Sequence, residues 1–177
     1  SNSIQAERVD FRNCVVYNWG TGNGCYGGPG GGYVNMVNNY FKAGPGTKNK
    51  TRVTQISFSD ASNGGDNPFP NYSSRYFISG NYVSAAGSKA ANYDWSGVIY
   101  DQKVKIGNDY YMQDAKHYYG EDQNYVKDAS GVDCIKIKLD SQFDPGTITT
   151  QTAETAYEKV LAYSGASLYR DACDVRY

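Results

Sequence analysis

The sequence predicts an all-β fold, a parallel β-helix with one short α-helix near the C-terminus. Three observations lead to this prediction: a composition typical of short strands and turns, a weak internal repeat, and one well-marked helix. The chain has 177 residues, including 20 Gly, 18 Tyr and only 5 Pro. This length suits a single domain over residues 1–177, which can bury its own core without metals or disulfides.

The internal repeat predicts the architecture. Val9–Val16 aligns with Val34–Phe41, 25 residues later, and again with Tyr76–Val83. In each copy an alternating strand runs into an Asn or Gly pair, and a second short apolar strand follows. Asn tolerates the left-handed conformation of a tight bend, and stacked Asn side chains can form a hydrogen-bonded ladder. Coils of about 20–25 residues that stack in this way form a parallel β-helix.

Two later elements complete the predicted fold. Val132–Leu139 alternates cleanly between apolar and polar residues and contains lysines, which is typical of an exposed or edge strand. A helix is expected at about residues 152–164, with Thr152 as its N-cap, Glu154 in its first turn and Gly165 after its end. We expect this helix to cap the C-terminal end of the coil stack.

Two glycine-rich or acidic loops suggest ligand sites only weakly. Gly20–Gly32 lacks the Lys-Ser/Thr of a phosphate loop and precedes a predicted strand, so a close backbone approach or an irregular coil is favoured. Asp60–Asn67 offers oxygen ligands but lacks EF-hand spacing, which favours a solvated loop. We therefore predict no cofactor, with calcium kept as the open option.

Charge and cysteine content restrict the function classes. The formal net charge is −1, so there is no basic excess to attract nucleic acid or an anionic membrane. No apolar stretch is long enough to span a bilayer. No signal peptide is recognisable, and we expect a mature or excised fragment. Cys14, Cys25, Cys134 and Cys173 fit no zinc pattern, and both two disulfides and four buried thiols remain open.

Catalytic constellations are weak in this sequence. The single histidine, His117, has no nucleophile motif nearby. Asp109, Asp114, Glu121 and Asp122 could supply the paired carboxylates of a glycosidase, but carboxylates in polar loops are mostly solvated.

The tyrosine excess points to carbohydrate binding. A ring with a hydroxyl suits a surface that is half dry and half wet, and a sugar stacks its C–H face on such a ring. Because neighbours on a strand face opposite ways, about half of the candidate rings should be structural. The candidate ring residues, most of them in predicted loops, are Trp19, Tyr26, Tyr93, Trp95, Tyr110, Tyr111, Tyr118 and Tyr119. Asp122 and Gln123 are the polar candidates beside the last pair.

Several segments resemble Bacteroidetes-type pectate lyases of polysaccharide lyase family one. The matching segments are Glu7–Asn13, Val16–Gly20, Tyr26–Gly28, Val37–Pro45, Ser79–Tyr82, Trp95–Val98, Ile148–Glu154, Ala156–Ala162, Gly165–Leu168 and Arg170–Ala172. The resemblance spans most of residues 7–177 and implies a right-handed parallel β-helix. It places Tyr26 on the sheet that forms the lyase cleft, with Trp19 on the loop before it.

The resemblance also implies a function. Those lyases carry their calcium-binding carboxylates and catalytic arginine upstream of the segment that resembles Glu7–Gly20, and no arginine here has the Arg-x-Pro-Arg context. We therefore predict that the chain is not an enzyme but a carbohydrate-binding module. Its expected partners are xylan first and pectin second, with an attached glycoside hydrolase of a secreted or cell-surface protein from a Gram-negative gut bacterium. The alternatives are a fragment of a calcium-dependent pectate lyase acting on polygalacturonate, and a purely structural β-helix.

Overall fold

The computed structural model describes residues 7–25, 32–56, 74–100, 103–113 and 125–164. Within these ranges the chain is mostly β, with two 3₁₀ segments, Ser84–Asn92 and Asp94–Gly97, and one α-helix, α1, Ala153–Tyr163. The strands are β1 Glu7–Arg12, β2 Val15–Tyr17, β3 Gly32–Val37, β4 Tyr40–Lys42, β5 Thr54–Ile56, β6 Arg75–Ser79, β7 Tyr82–Val83, β8 Val98–Tyr100, β9 Lys103–Ile106, β10 Asp109–Gln113, β11 Tyr125–Lys127 and β12 Asp133–Lys136.

The predicted repeat is confirmed as parallel strand pairing. The strands β1, β3 and β6 form one sheet in which Val9 pairs with Val34, and Val34 with Tyr76. The strands β2, β4 and β7 form a second parallel sheet, in the order β2-β4-β7. A third parallel pair joins β5 to β8. The three aligned copies therefore lie side by side, in the register that the sequence alignment predicts.

The predicted asparagine ladder is also confirmed. Asn39 and Asn81 are fully buried, and the side-chain oxygen of Asn81 accepts hydrogen bonds from the backbone N–H and side-chain amide of Asn39, at 3.0 and 2.9 Å. The Asn39 oxygen accepts from the backbone N–H of Cys14 at 3.0 Å. At the bends, Asn13 and Asn38 have φ values of 51° and 52°, which Asn tolerates better than most residues.

The prediction of a right-handed parallel β-helix with a capping helix is wrong for the residues described. These residues form four small separate sheets, one of them antiparallel, and none closes or continues as a solenoid. The antiparallel sheet has the order β11-β12-β10-β9. Its physical origin is a hairpin: Ile106 pairs with Asp109, so Gly107 and Asn108 form a two-residue loop, and Gly107 has a φ of 60°.

The prediction that Val132–Leu139 is an edge strand is wrong as well. The strand β12 lies inside the antiparallel sheet, with β10 on one side and β11 on the other. Cys134 and Ile135 are buried. After β12 the chain pairs with the first parallel sheet. The backbone N–H of Tyr76 donates to Ile137 O, and the backbone N–H of Leu139 donates to Tyr76 O, both at 2.8 Å. This contact joins the antiparallel region to the parallel one.

The helix α1 begins and ends close to its predicted limits. The Thr152 side chain accepts a hydrogen bond from Thr155 N–H at 3.2 Å, as an N-cap residue should. The Tyr157 ring stacks on Tyr40 at 4.2 Å, and Tyr40 stacks on Tyr82 at 4.8 Å. Because Phe41, between Tyr40 and Lys42, is buried, these rings lie on the outer face of the β2-β4-β7 sheet, and α1 covers that face.

One hydrophobic core connects the two regions. Its buried members are Met36, Phe41, Val53, Ile56, Tyr76, Ile78, Val83, Trp95, Val98, Met112, Ile135 and Ile137. Cys14, Cys25 and Cys134 are free thiols. Burial, together with the nearby Cys14, raises the pKa of Cys25 to about 12, so this thiol stays protonated. Within the described ranges no helix has the length and apolarity to span a bilayer.

Candidate functional site

Four of the predicted ring residues, Trp19, Tyr93, Trp95 and Tyr110, lie in or against the core. Trp95 is only 9% exposed and belongs to the core cluster. Tyr110 packs beside it, with 4.5 Å between the ring centroids, and Tyr93 packs against the same cluster. The structure therefore brings Trp95 and Tyr110 together, but the two rings pack against each other instead of facing the solvent.

Trp19 packs against the same core cluster, and Tyr111 is the remaining predicted ring within the described ranges. Trp19 meets the buried Phe41 edge-on, with 6.2 Å between the ring centroids. Its indole N–H is buried and has no hydrogen-bond partner among the described residues. Tyr110 and Tyr111 lie on the strand β10 rather than in a loop, so their side chains point to opposite faces of the sheet. Tyr111 is half-buried.

The other candidate residues lie outside the described ranges. These are Tyr26, Tyr118, Tyr119, Asp122 and Gln123. The loop Asp60–Asn67, His117 and the carboxylates Asp114 and Glu121 lie outside as well. The carbohydrate-binding role of all the candidate rings stays a prediction.

A polar pocket lies beside the β5–β8 pair. Its volume is about 190 Å³. The lining residues are Asn49, Thr51, Arg52, Ser96, Gly97 and Ile99. The set combines one guanidinium, two hydroxyls and one side-chain amide with the apolar side chain of Ile99. This lining is more polar than that of most small-ligand pockets, and its polar groups could fix the orientation of a polar ligand.

Backbone hydrogen bonds hold Arg52 in place. Its carbonyl accepts from Gly24 N–H at 2.9 Å, and its own N–H donates to Asn49 O at 3.1 Å. The next residue, Val53, is fully buried and donates to Gly97 O at 2.8 Å. The segment that carries Arg52 is thus tied to the chain on both sides, and the half-buried Arg52 side chain extends from a fixed backbone.

Two glycines allow this close approach. A Cβ atom at Gly97 would lie 2.5 Å from Val53 Cγ2 and 2.8 Å from Thr51 O. A Cβ atom at Gly24 would lie 2.7 Å from the Phe41 ring and 3.1 Å from Val53 O. All four distances are shorter than ordinary van der Waals contacts, so larger residues would push the Arg52 segment away. The predicted close backbone approach in Gly20–Gly32 is confirmed at Gly24.

The electrostatics of the pocket are set by Arg52. None of the other five lining residues is charged. Within the part of the chain that the structure describes, the Arg52 guanidinium has no hydrogen-bond or ion-pair partner. The Asn49 amide N–H donates to Thr21 O at 2.7 Å, which leaves the Asn49 oxygen able to accept from a ligand hydroxyl. The pocket can therefore bind an anion that also carries hydroxyl groups.

The described residues contain no group of three His, Cys, Asp or Glu placed to hold a metal ion. Asp109, one of the carboxylates considered for glycosidase chemistry, pairs with Lys136 at 2.6 Å. Burial acts to raise the pKa of Asp109, but the hydrogen bonds from Lys136 and Tyr110 N–H outweigh it and hold the pKa below its ordinary value. Asp109 therefore stays ionised at neutral pH, unlike a general acid.

Sequence reasoning did not identify Arg52 as a candidate residue. The pocket forms where residues 49–52 approach residues 96–99, and no local sequence motif predicts that these two segments lie together. The one available signal was the Gly-rich run that contains Gly24. Its sequence predicts a close backbone approach, but it does not predict a ligand site.

The chain is similar to one curated enzyme. It is 32% identical over 143 residues, 75% of its own length, to a probable pectate lyase C of Aspergillus terreus. The chain spans 30% of that protein's length. No protein-family model matches the chain, and no solved structure matches it.

This similarity corrects one expectation and supports another. The prediction that the chain is not an enzyme is contradicted, because the protein that it resembles is named as a lyase. The expected relation to pectate lyases is supported at a coarse level.

Proposed function

We propose that the chain is part of a calcium-dependent pectate lyase that acts on polygalacturonate, where it supplies residues that bind the polysaccharide. The observation that carries this proposal is the 32% identity to a probable pectate lyase C over 143 residues. It favours the lyase alternative of the sequence analysis over a xylan-binding module. We further propose that the whole protein acts outside the cell, where plant cell-wall polysaccharides are found.

The pocket at Arg52 supports an acidic substrate. With a formal net charge of −1, these 177 residues do not attract a polyanion through their net charge. A local positive charge favours such a ligand, and Arg52 is half-buried beside hydroxyl and amide groups without a carboxylate partner in the described ranges. A guanidinium in such a setting binds a carboxylate through charge-assisted hydrogen bonds.

Xylan is the second candidate substrate, with an attached glycoside hydrolase as the accompanying partner. The exposed rings of Tyr17 and Tyr163, which are 59% and 74% accessible, favour it. Such rings can stack on a neutral sugar without any ionic contact. This candidate predicts binding that does not depend on substrate charge.

Affinity electrophoresis of the chain in native gels tests the proposal. The gels contain polygalacturonate, its methyl ester or xylan, each with calcium or with a chelator. We expect retardation by polygalacturonate and weak or no retardation by the methyl ester and by xylan. Incubation of the same samples, followed by ultraviolet detection of unsaturated products, reports any elimination reaction.

The outcomes separate the candidates. Unsaturated product that disappears with chelator adds calcium-dependent catalysis within these 177 residues. Retardation by xylan and not by polygalacturonate would replace the lyase proposal with the second candidate. No retardation by any of the polysaccharides would contradict both.

A further inference from the structure

We infer that the pocket at Arg52 is a subsite for one uronate unit, in which Arg52 binds the sugar carboxylate and thereby selects acidic over esterified or neutral units. This inference rests on the proposed function, and it adds a residue and a selection rule. The shape, the charge and the rigidity of the pocket support it.

Arg52 is the one ionisable residue among the six that line the pocket. A planar guanidinium can donate two parallel hydrogen bonds to a carboxylate, which adds directional preference to the attraction between charges. A partly buried position reduces the screening that weakens the same pair in open water.

The surrounding groups match the rest of a sugar unit. Thr51 and Ser96 contribute hydroxyls, and Asn49 contributes an amide oxygen that its hydrogen bond to Thr21 does not use. These groups can exchange hydrogen bonds with ring hydroxyls. Ile99 supplies an apolar surface for the C–H face of the sugar. A simple inorganic anion would use only Arg52, whereas a sugar acid uses the whole lining.

The size of the pocket limits the ligand. Pockets for drug-sized molecules have volumes of about 300–1,000 Å³, and this one is smaller, at about 190 Å³. One monosaccharide unit fits this smaller scale, while its neighbours along the chain would lie outside. We therefore expect the pocket to bind one sugar unit of a longer oligomer.

The backbone around Arg52 is arranged before a ligand binds. Gly24 and Gly97 approach the Arg52 segment from two sides, and the backbone at each glycine is hydrogen-bonded to that segment. A site held by such contacts needs little reorganisation on binding, which favours affinity and selectivity.

Titration calorimetry with trigalacturonate, its methyl ester and a neutral galactose trisaccharide tests the inference. The test variant is Arg52→Gln, which keeps a polar side chain, although a shorter one, and removes the charge. The matched control is Arg8→Gln, because Arg8 is exposed on β1 and lies over the Tyr33 and Phe143 rings, away from the pocket lining. Arg52→Lys keeps the charge without the planar fork.

We expect Arg52→Gln to weaken trigalacturonate binding at least about tenfold. Arg52→Lys should give an intermediate loss, and Arg8→Gln should change affinity less than about twofold. The two uncharged trisaccharides should bind wild type and Arg52→Gln equally weakly. Thermal unfolding of each variant checks that the fold is retained.

Equal trigalacturonate affinity in wild type and Arg52→Gln would overturn the inference, and so would the absence of binding to wild type. If the polymer still retards the chain in gels while Arg52→Gln has no effect, the proposed function stands and the Arg52 subsite does not. If xylan alone is bound, both are wrong. If Arg52→Gln is unfolded, Arg52→Lys decides: unchanged affinity for both acidic and neutral trisaccharides overturns the inference, and a selective loss supports it.

Discussion

The parallel region, formed by the strands β1 to β8, and the antiparallel region, formed by the strands β9 to β12, use polar groups in opposite ways. In the parallel region the key polar side chains are buried, as in the pair Asn39 and Asn81. In the antiparallel region the polar contacts lie near the surface, as in the Lys136 ion pairs with Asp109 and Asp140. Buried polar groups are costly to leave unpaired, whereas exposed pairs are nearly balanced by hydration. The two regions should therefore respond very differently to loss of a polar side chain.

The largest expected effect is at Asn81. Its oxygen accepts two hydrogen bonds from Asn39, and its amide donates to Met36 O and Asp94 Oδ1 at 2.9 and 2.8 Å. Asn81→Ala leaves several of these buried groups unpaired, so we expect a loss of about 3 kcal/mol or more in the free energy of unfolding. Urea unfolding measures it.

The control for this prediction is Asn92→Ala, at an exposed position in a 3₁₀ segment, which should change stability by less than about 0.5 kcal/mol. A loss below about 1 kcal/mol for Asn81→Ala would show that the ladder does not stabilise the parallel region.

The second effect concerns the packing beside the pocket. Gly97→Ala places a methyl group against Val53 and Thr51 O, so we expect a loss of about 1–3 kcal/mol from overpacking. Because the Arg52 segment is displaced, trigalacturonate affinity should fall as well. Gly22→Ala is the matched control, since a Cβ there meets no atom within 4 Å. Unchanged stability and affinity in Gly97→Ala would contradict the close-approach explanation.

The third effect is a pH dependence in the parallel region. Asp10 accepts two hydrogen bonds from Arg12, both at 2.6 Å, and these lower the pKa of Asp10 below its ordinary value of 3.8. A lowered carboxylate pKa stabilises the fold fully above the unfolded-state value and loses that contribution as pH falls through the folded-state value.

Asp10→Asn should therefore reduce the dependence of unfolding free energy on pH below about pH 4. Urea unfolding at a series of acidic pH values measures this slope. Glu158→Gln, at an exposed position of α1, should keep the wild-type slope. A slope in Asp10→Asn equal to that of wild type would contradict the prediction.

The smallest effect is expected in the antiparallel region. Hydrogen bonds to Asp109 and Asp140 raise the pKa of Lys136, so Lys136 is charged throughout the neutral range. The side chains of Lys136, Asp109 and Asp140 are 27%, 29% and 81% exposed, so solvent reaches both pairs and screens the Asp140 pair most. Lys136→Met should cost about 0.5–1 kcal/mol at low salt and less at high salt. A loss comparable to that of Asn81→Ala would remove the contrast between the regions.

Local patterns in the sequence predicted several parts of the fold. The 25-residue offset between Val9 and Val34 recurs as their strand pairing, since in-register parallel strands repeat the same apolar alternation. The Asn bends and the Thr152 N-cap were also readable from local properties. Asn tolerates the left-handed conformation found at Asn13 and Asn38, and the Thr152 side chain accepts from Thr155 N–H close by in the sequence.

Other features depended on distant contacts or on a missed turn. Gly107-Asn108 is a hairpin signal, and its two-residue loop turns the chain back instead of allowing another parallel strand. Trp95 was chosen as a sugar-binding ring, but it is buried in the core, where its ring packs against Tyr110 of the strand β10. Arg52 could be recognised as a candidate ligand-binding residue only from the structure, which places residues 49–52 beside residues 96–99.

A crystal structure of the chain with trigalacturonate tests the Arg52 subsite most directly. We expect one uronate unit in the pocket, with its carboxylate within hydrogen-bond distance of the Arg52 guanidinium and its ring hydroxyls near Asn49, Thr51 or Ser96. A trisaccharide bound elsewhere, with no contact to Arg52, would show that the pocket is not a uronate subsite.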